Sequence, residues 1–249
     1  MTLHKRLTAS GFSFKKSLGQ NFIIDEGYLQ SVVKDLNISK DDVVVEVGTG
    51  AGTLTRVLAQ YAKKVITYEV DARLEPILSE QFSGFDNIKL RFQDALKTDI
   101  DVSNFRVIAN IPYYITTPLI TKFLNDPNCT SIIVLVQKEV AERIVAKPGS
   151  KVYGALSAGI QIRSSAKIIK TVSRKVFFPE PNVDSAFVQI DDIRPIEAGF
   201  DEFLKKVFGQ RRKKISNIIR NLYNIQIDDE RRPEQLTPKN LFDIFRQIQ

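Results

Sequence analysis

The sequence contains very few of the side chains that usually bind metals or transfer protons. His4 is the only histidine and Cys129 is the only cysteine in 249 residues. A lone cysteine excludes an internal disulfide and a cysteine zinc cage, and one histidine argues against histidine-based acid–base chemistry or a His-rich metal site. We therefore expect no metal centre, and a reducing cytoplasm is the default compartment.

Long apolar runs are also missing. No stretch approaches the roughly 18 apolar residues that a membrane-spanning helix needs. Residues 1–20, MTLHKRLTASGFSFKKSLGQ, contain basic side chains but lack the apolar core of a secretory signal. We therefore expect a cytoplasmic protein that does not bind membranes, and we expect it to be monomeric.

Acidic side chains are scarce in two short segments of a chain whose net charge is +7 and whose pI is about 9.4. Residues 1–24 include Lys15 and Lys16 but no Asp or Glu, and a second basic cluster reads Arg211-Arg212-Lys213-Lys214. Such an excess favours a polyanion such as nucleic acid as partner. A solvated surface rich in lysine is the alternative.

Short runs rich in Val and Ile alternate with segments that have the spacing of helices. Buried runs of this kind, separated by helices, predict a parallel sheet covered on both faces. We predict a seven-stranded α/β domain over residues 25–192, with the basic arm at 1–24 as part of the same domain. The candidate strands are 43–47, 65–69, 88–92, 106–109, 131–136, 167–172 and 184–190.

Strand signals disappear after about residue 200, and helix signals replace them. Gly209 ends the segment FDEFLKKVFG, as a helix-capping glycine does, and Thr237-Pro238 has the pattern of an N-cap followed by proline. The apolar stripe of the helix between them consists of Ile215, Ile218, Ile219 and Leu222. We therefore predict a small all-helical C-terminal domain over residues 193–249.

The segment VVVEVGTGAGTLT places Gly48, Gly50 and Gly52 between a buried strand and a helix. Glycines let the backbone turn sharply and approach a ligand closely, and the helix beyond them presents unpaired N–H groups. Glu69 ends the next strand, where a carboxylate can accept hydrogen bonds from both hydroxyls of a ribose. This order of elements predicts a nucleoside-cofactor site.

The glycine loop leaves the identity of the cofactor open. Its spacing is G-x-G-x-G, whereas dinucleotide binders have G-x-G-x-x-G, and no Gly-Lys-Ser/Thr follows as a P-loop requires. A glycine-rich turn without any ligand is the remaining alternative. Asp94 follows the third strand and can accept a hydrogen bond from an adenine amino group, although a turn or capping aspartate is equally consistent.

The segment ANIPYYITTP follows the fourth strand, at the edge of the sheet where α/β proteins bind ligands. An adenine amine is a poor nucleophile because its lone pair is delocalised into the ring. The amide oxygen of Asn110 and the carbonyl of Ile111 can accept its hydrogens and free that lone pair, while Pro112 fixes the turn. Tyr113 can stack on the base, a contact worth about 1–3 kcal/mol.

An aromatic turn that packs on a helix is the alternative to this interpretation. The pattern does not assign Tyr114, which either stacks on a ligand or packs beneath its neighbour.

Several segments in the same order give the chain a family resemblance. KKSLGQNFIID, VVEVGTGAGTLT, ANIPYYITTPLI, FFPEPNVDSAFVQI and FGQRRKKISNIIRN resemble motifs of the small-subunit ribosomal RNA adenine N6,N6-dimethyltransferases of the KsgA/RsmA type. The resemblance implies a Rossmann-like class I methyltransferase domain with a helical C-terminal domain. It also implies S-adenosylmethionine as cofactor. The implied substrate is a pair of adjacent adenosines near the 3′ end of 16S rRNA, each dimethylated within an assembling 30S subunit.

The resemblance also assigns residues. It implies Asn110, Ile111, Pro112 and Tyr113 as the catalytic segment, and Phe177 as a second ring that stacks on the target base. The implied cofactor contacts are Asn21, Ile23, Gly48, Gly50, Glu69, Asp94 and Asn110. Our hypothesis for the basic segments is that they bind the RNA backbone through Lys15, Lys16, Arg211, Arg212, Lys213 and Lys214.

Other functions stay open at the level of sequence. An erythromycin-resistance methyltransferase, which modifies an adenine of large-subunit RNA, shares the glycine loop and the Asn-Ile-Pro-Tyr motif. A noncatalytic RNA-binding assembly factor that keeps the fold is an alternative of another class. A dehydrogenase rests on the glycine loop alone, and DNA adenine methyltransferases typically carry Asn-Pro-Pro-Tyr or Asp-Pro-Pro-Tyr instead.

Overall fold

The structure is a computed structural model that describes residues 12–15, 19–23 and 25–249. The chain divides into two compact units. The first comprises the residues up to Lys138 together with Ile169–Gln189, and the second comprises Glu139–Ile168 and Ile190–Gln249.

The strands confirm the predicted seven-stranded α/β architecture. One sheet has the order β4-β3-β2-β5-β6-β9-β7, and the short strands β1 and β8 pair antiparallel with each other. Strand β2 runs parallel to β3 and β5, β3 runs parallel to β4, and β5 runs parallel to β6. The strands are β1 (Phe22–Ile23), β2 (Val43–Val47), β3 (Lys64–Glu69), β4 (Ile88–Phe92), β5 (Phe105–Asn110), β6 (Cys129–Gln137), β7 (Ser165–Val172), β8 (Phe177–Phe178) and β9 (Ser185–Asp191).

The helices account for the continuous apolar character of the central strands. Val44, Val65 and Val107 have no exposed surface, as expected of strands buried on both faces. None of the helices within the described ranges is long and apolar enough to cross a membrane. The helices are α1 (Glu26–Lys34), α2 (Thr53–Tyr61), α3 (Glu75–Phe82), α4 (Thr116–Leu124), α5 (Lys138–Ile144), α6 (Ala155–Gln161), α7 (Phe200–Phe208), α8 (Ile215–Tyr223) and α9 (Pro238–Gln247).

The connections of the sheet reverse direction at β2. After β2 the chain adds β3 and β4 on one side, and it then returns to place β5 on the other side. Neighbouring loops diverge at such a reversal and leave a crevice outside the carboxyl ends of the strands, where α/β proteins bind ligands. The glycine loop after β2 and Asn110 at the end of β5 both lie at this crevice.

The second unit has its own core. Ala146 and Tyr153 pack there with Phe200, Ile218 and Phe245. Residues 139–168 therefore belong to the same compact unit as the C-terminal helices, whereas the sequence placed them in the methyltransferase domain. The helix signals agree with the structure at Gly209, which is the C-cap of α7, and at Thr237, whose side chain accepts a hydrogen bond from the Asn240 N–H.

Candidate active site

A cavity of about 260 Å³ opens at the carboxyl ends of β2, β3, β4 and β5. Its wall is made by loops that follow these strands and by residues 19–23. The predicted cofactor and catalytic residues that line it are Asn21, Ile23, Gly48, Gly50, Glu69, Asp94, Asn110, Ile111, Pro112 and Tyr113. The fold therefore brings together residues that lie far apart in the sequence.

The glycine loop lies directly against its neighbours. Gly50 has a φ of +55°, and a Cβ atom there would lie 2.9 Å from Cε1 of Phe22. The N–H groups of Gly48 and Thr49 donate to the Tyr68 carbonyl at 2.9 and 3.2 Å, which ties the loop to β3. A side chain at position 50 would therefore both strain the backbone and displace the Phe22 ring.

Glu69 anchors the loop as well as facing the cavity. Its Oε2 accepts the Gly50 N–H at 2.8 Å, and its Oε1 accepts the N–H groups of Val70 and Asp71 at 2.8 and 2.9 Å. Burial raises the pKa of this carboxyl, and the three N–H donors partly offset that effect. A carboxylate offers about four lone-pair positions, so room remains for about one ligand hydroxyl, not the two that the sequence suggested.

Asp94 combines the two roles that the sequence left as alternatives. Its Oδ1 accepts the Leu96 N–H at 3.0 Å, which closes a turn, and its Oδ2 lies 3.7 Å from Nζ of Lys97. The residue also lines the cavity, with 39% of its side chain exposed. A turn aspartate of this kind is oriented by the backbone and still has acceptor capacity for a ligand.

Asn110 is held in one orientation by the N-terminal segment. Its Nδ2 donates to the carbonyl oxygen of Asn21 at 3.1 Å, and the Asn21 side chain donates to the Gly19 carbonyl at 3.2 Å. No hydrogen bond to Oδ1 of Asn110 is recorded among the residues that the structure describes. The amide oxygen is therefore available as an acceptor in the cavity wall.

The turn after Asn110 positions Tyr113. The carbonyl of Pro112 accepts the Ile115 N–H at 3.1 Å, which begins a short 3-10 turn at Tyr113. The hydroxyl of Tyr113 lies 3.1 Å from Oγ of Ser185, within hydrogen-bonding distance. Burial raises the pKa of Tyr113, and the hydrogen bond to Ser185 lowers it to a smaller extent. The ring is therefore fixed at its far end while it lines the cavity.

The structure does not bring Phe177 to the cavity. This side chain is 5% exposed, pairs with Ile23 across the two short strands and belongs to the core of the first unit. Stacking on a base requires a free ring face, which a core residue does not offer. The predicted stacking role of Phe177 therefore has no geometric support in this conformation.

The predicted RNA-binding residues differ in whether their charges are paired with acidic side chains. Arg211 pairs with Glu234 at 3.1 Å, and Lys214 forms an ion pair with Glu230. Arg212 and Lys213 are exposed, and no ion pair is recorded for them in the described part of the chain. Lys15 is exposed as well. Lys16 lies outside the described residues.

Glu46 is a residue of the cavity whose importance the sequence did not reveal. It is 1% exposed, its Oε2 accepts the Thr55 hydroxyl at 2.6 Å, and its Oε1 has no partner among the described residues. Burial raises its pKa to about 8, against the lowering effect of the Thr55 and Thr67 hydroxyls, and Glu69 adds a further small rise. An acid inside the apolar run VVVEV was the signal, because a buried carboxylate is costly unless it has a use.

The N-terminal segment is held by side-chain contacts that the sequence did not reveal. Nε2 of Gln20 donates to Oδ2 of Asp71 at 2.8 Å, and Nε of Arg73 donates to Oδ1 of the same carboxylate at 2.7 Å. Arg73 also donates to the Ser13 carbonyl at 3.2 Å and lies 5.0 Å from the centre of the Phe12 ring. These contacts hold the described residues of the predicted N-terminal arm next to the glycine loop.

Comparison with known sequences identifies the family of the chain. Residues 11–247 match the family described as ribosomal RNA adenine dimethylase. The chain belongs to this family. The predicted resemblance to the KsgA/RsmA type is thereby confirmed.

Two relatives are both called ribosomal RNA small subunit methyltransferase A. The relative from Geobacillus thermodenitrificans is 43% identical over 246 residues, which cover 92% of this chain and 83% of that protein. The relative from Geobacillus sp. strain WCH70 is 41% identical over 270 residues, which cover 96% of this chain and 93% of the relative.

Solved structures share the fold. A dimethyladenosine transferase from Plasmodium falciparum is 25% identical with a TM-score of 0.79, over 90% of this chain and 95% of that one. The 23S rRNA methyltransferase ErmE is 25% identical with a TM-score of 0.70, over 89% of this chain and 98% of that one. These likenesses confirm the predicted methyltransferase architecture.

Proposed function

We propose that the protein is an S-adenosylmethionine-dependent rRNA adenine N6,N6-dimethyltransferase. It acts on two adjacent adenosines near the 3′ end of 16S rRNA, within an assembling 30S subunit. The observation that carries the proposal is the oriented amide of Asn110, a residue that lines the cavity beside the glycine loop and whose amide nitrogen donates to the Asn21 carbonyl. The names of the similar Geobacillus proteins support the choice of the small subunit.

The residues present fit S-adenosylmethionine. Glu69 suits a ribose hydroxyl, and Asp94 suits an adenine amino group. Glu46 lines the cavity, and a positively charged ligand beside it would favour its charged form and lower its pKa. When bound, S-adenosylmethionine supplies an electrophilic methyl group on a sulfonium sulfur.

The chain's own groups activate the target amine. Oδ1 of Asn110 and the carbonyl of Ile111 accept hydrogen bonds from the N6–H groups, which pulls the nitrogen towards tetrahedral geometry and localises its lone pair. Tyr113 stacks on the base with its hydroxyl held by Ser185. Unstacking a nucleotide costs a few kcal/mol, and aromatic stacking returns about 1–3 kcal/mol. The lone pair itself is the nucleophile, so no side chain has to act as a base before the attack, and the extra proton on N6 is lost to solvent afterwards.

RNA backbone binding is part of the proposal. Arg212 and Lys213 are the best candidates of the basic cluster, because Arg211 and Lys214 already form ion pairs with Glu234 and Glu230. Lys15 adds an exposed cation in the N-terminal segment. Lys16 is retained on sequence grounds alone.

Transfer of labelled methyl groups to separated ribosomal subunits tests the proposal. Undermethylated small subunits should accept label from the wild type, and Asn110→Ala should reduce the rate by roughly 100-fold or more, in the range that removal of one key hydrogen-bonding group costs an enzyme. Asn128→Ala is the matched control, because Asn128 directly precedes β6 and so lies at the amino ends of the strands, away from the cavity at their carboxyl ends.

Label in large subunits instead would favour the ErmE-like activity, which the fold also supports. A wild type that transfers no methyl group to either subunit, and that supports subunit assembly as well as Asn110→Ala does, would favour a noncatalytic assembly factor.

A further inference from the structure

Tyr114 is an exposed aromatic ring at the cavity. It lines the cavity, yet 60% of its surface is exposed. It therefore does not pack beneath Tyr113. No hydrogen bond from its hydroxyl is recorded among the described residues, whereas the hydroxyl of Tyr113 lies 3.1 Å from Ser185.

The two tyrosines point in different directions. Both lie in the 3-10 turn Tyr113–Ile115, and consecutive residues of such a turn project about 120° apart. Tyr113 is directed at Ser185, and Tyr114 is turned away from it towards solvent. The turn therefore presents one ring inside the cavity and a second ring at its margin.

The backbone of Gly19 lies close to the exposed ring of Tyr114. A Cβ atom on Gly19 would lie 3.7 Å from Cδ1 of Tyr114 and 3.2 Å from Cβ of Pro112. Gly19 and Pro112 thus pack closely on one side of the turn, and Asn21 binds both Gly19 and Asn110. The position of Tyr114 is consequently tied to the same contacts that orient the Asn110 amide.

We infer that Tyr114 is the stacking platform for the nucleotide adjacent to the target adenine. The inference rests on the proposed function. A target base that enters the cavity leaves its neighbour without a stacking partner on one side, and an exposed aromatic ring next to Tyr113 replaces that partner. Stacking tolerates any base, so the same ring serves whichever of two adjacent adenosines remains outside.

Substitutions at position 114 separate stacking from bulk. Tyr114→Phe keeps the ring and should stay within about twofold of the wild-type kcat/KM on undermethylated small subunits. Tyr114→Leu and Tyr114→Ala lack the ring, and their kcat/KM should fall by about 5- to 150-fold, which corresponds to the stacking energy of one base. Affinity for S-adenosylmethionine, measured by calorimetry without RNA, should not change in any of the variants.

A substrate with one missing base completes the test. Small subunits reconstituted with an abasic nucleotide next to the target adenosine remove the proposed partner of Tyr114. On this substrate the wild type, Tyr114→Phe and Tyr114→Ala should react at the same reduced rate. The inference is wrong if Tyr114→Ala equals the wild type on intact subunits, if Tyr114→Leu retains activity, or if the loss persists on the abasic substrate.

These outcomes differ from a failure of the proposed function. In that case the wild type itself leaves both substrates unmethylated, and the inference about Tyr114 falls with it.

Discussion

At the scale of single residues, Glu46 places a buried carboxyl group in the wall of the cavity. Its pKa of about 8 lies far above the ordinary value of 4.5, chiefly because burial disfavours its charged form. Between pH 4.5 and about pH 8, the Glu46 carboxyl therefore keeps its proton in the folded protein and has lost it in the unfolded chain. This contribution to stability is complete below pH 4.5 and is lost as the pH rises through about 8.

Glu46→Gln tests this account of Glu46. The variant mimics the protonated side chain, so it should gain stability over the wild type as the pH rises from 5 to 9, by up to a few kcal/mol. Urea unfolding at several pH values measures the difference, and Glu75→Gln at an exposed site is the control. Parallel pH profiles of Glu46→Gln and the wild type would show that Glu46 titrates normally.

At the scale of structural elements, the glycine loop and the N-terminal segment depend on each other. Alanine at position 50 would adopt an unfavourable positive φ and contact the Phe22 ring. We expect Gly50→Ala to lower the free energy of unfolding by about 1–3 kcal/mol. Urea unfolding measures this, and Gly84→Ala is the matched control because a Cβ atom at Gly84 meets no atom within 4 Å.

Combining Gly50→Ala with Phe22→Ala separates strain from steric overlap. If the ring contact matters, the double variant should be destabilised by less than the sum of the two single effects, by about 0.5–3 kcal/mol. Strict additivity would contradict the contact.

The strands and helices also differ in how well sequence patterns predict them. All seven strands of the large sheet were predicted. Runs of Val and Ile identified the central strands, because strands buried on both faces need continuous apolar residues, whereas the edge strands β4 and β7 are partly exposed and mix apolar with charged residues. The strands at Phe22–Ile23 and Phe177–Phe178 were missed, since two-residue strands have no period and pair over a long separation. Leu222 fits the helical stripe of α8 yet remains 39% exposed, because tertiary packing decides where such a stripe ends.

The candidate site was predictable in part for similar reasons. Glu69, Asp94 and Asn110 end strands or follow them directly, so the topology of a parallel sheet brings them to one edge. Ser185 and the unpaired oxygen of Glu46 depend on contacts between distant segments, which no local pattern specifies. Phe177 was expected at the cavity because a motif gives the order of residues but not their burial.

At the scale of the whole molecule, we expect the net positive charge to strengthen RNA binding mainly through basic side chains that have no ion pair among the described residues. Reversing Arg212 and Lys213 to Glu should weaken RNA binding and flatten its salt dependence, by about 0.7 in the log–log slope for each phosphate that the protein no longer neutralises. Lys63→Glu with Lys64→Glu, a pair of adjacent exposed cations at the start of β3, is the matched control. Equal slopes for both double variants would assign the effect to net charge alone.

We propose that the cavity methylates adenine N6 twice in small-subunit RNA. Mass spectrometry of nuclease fragments of the RNA from undermethylated small subunits, after incubation with the protein and S-adenosylmethionine, tests this most directly because fragments keep the position of each methyl group. We expect N6,N6-dimethyladenosine at two adjacent positions near the 3′ end with the wild type, and formation that is roughly 100-fold slower or more with Asn110→Ala. Absence of methylated adenine with the wild type, or equal yields from both proteins, would contradict it.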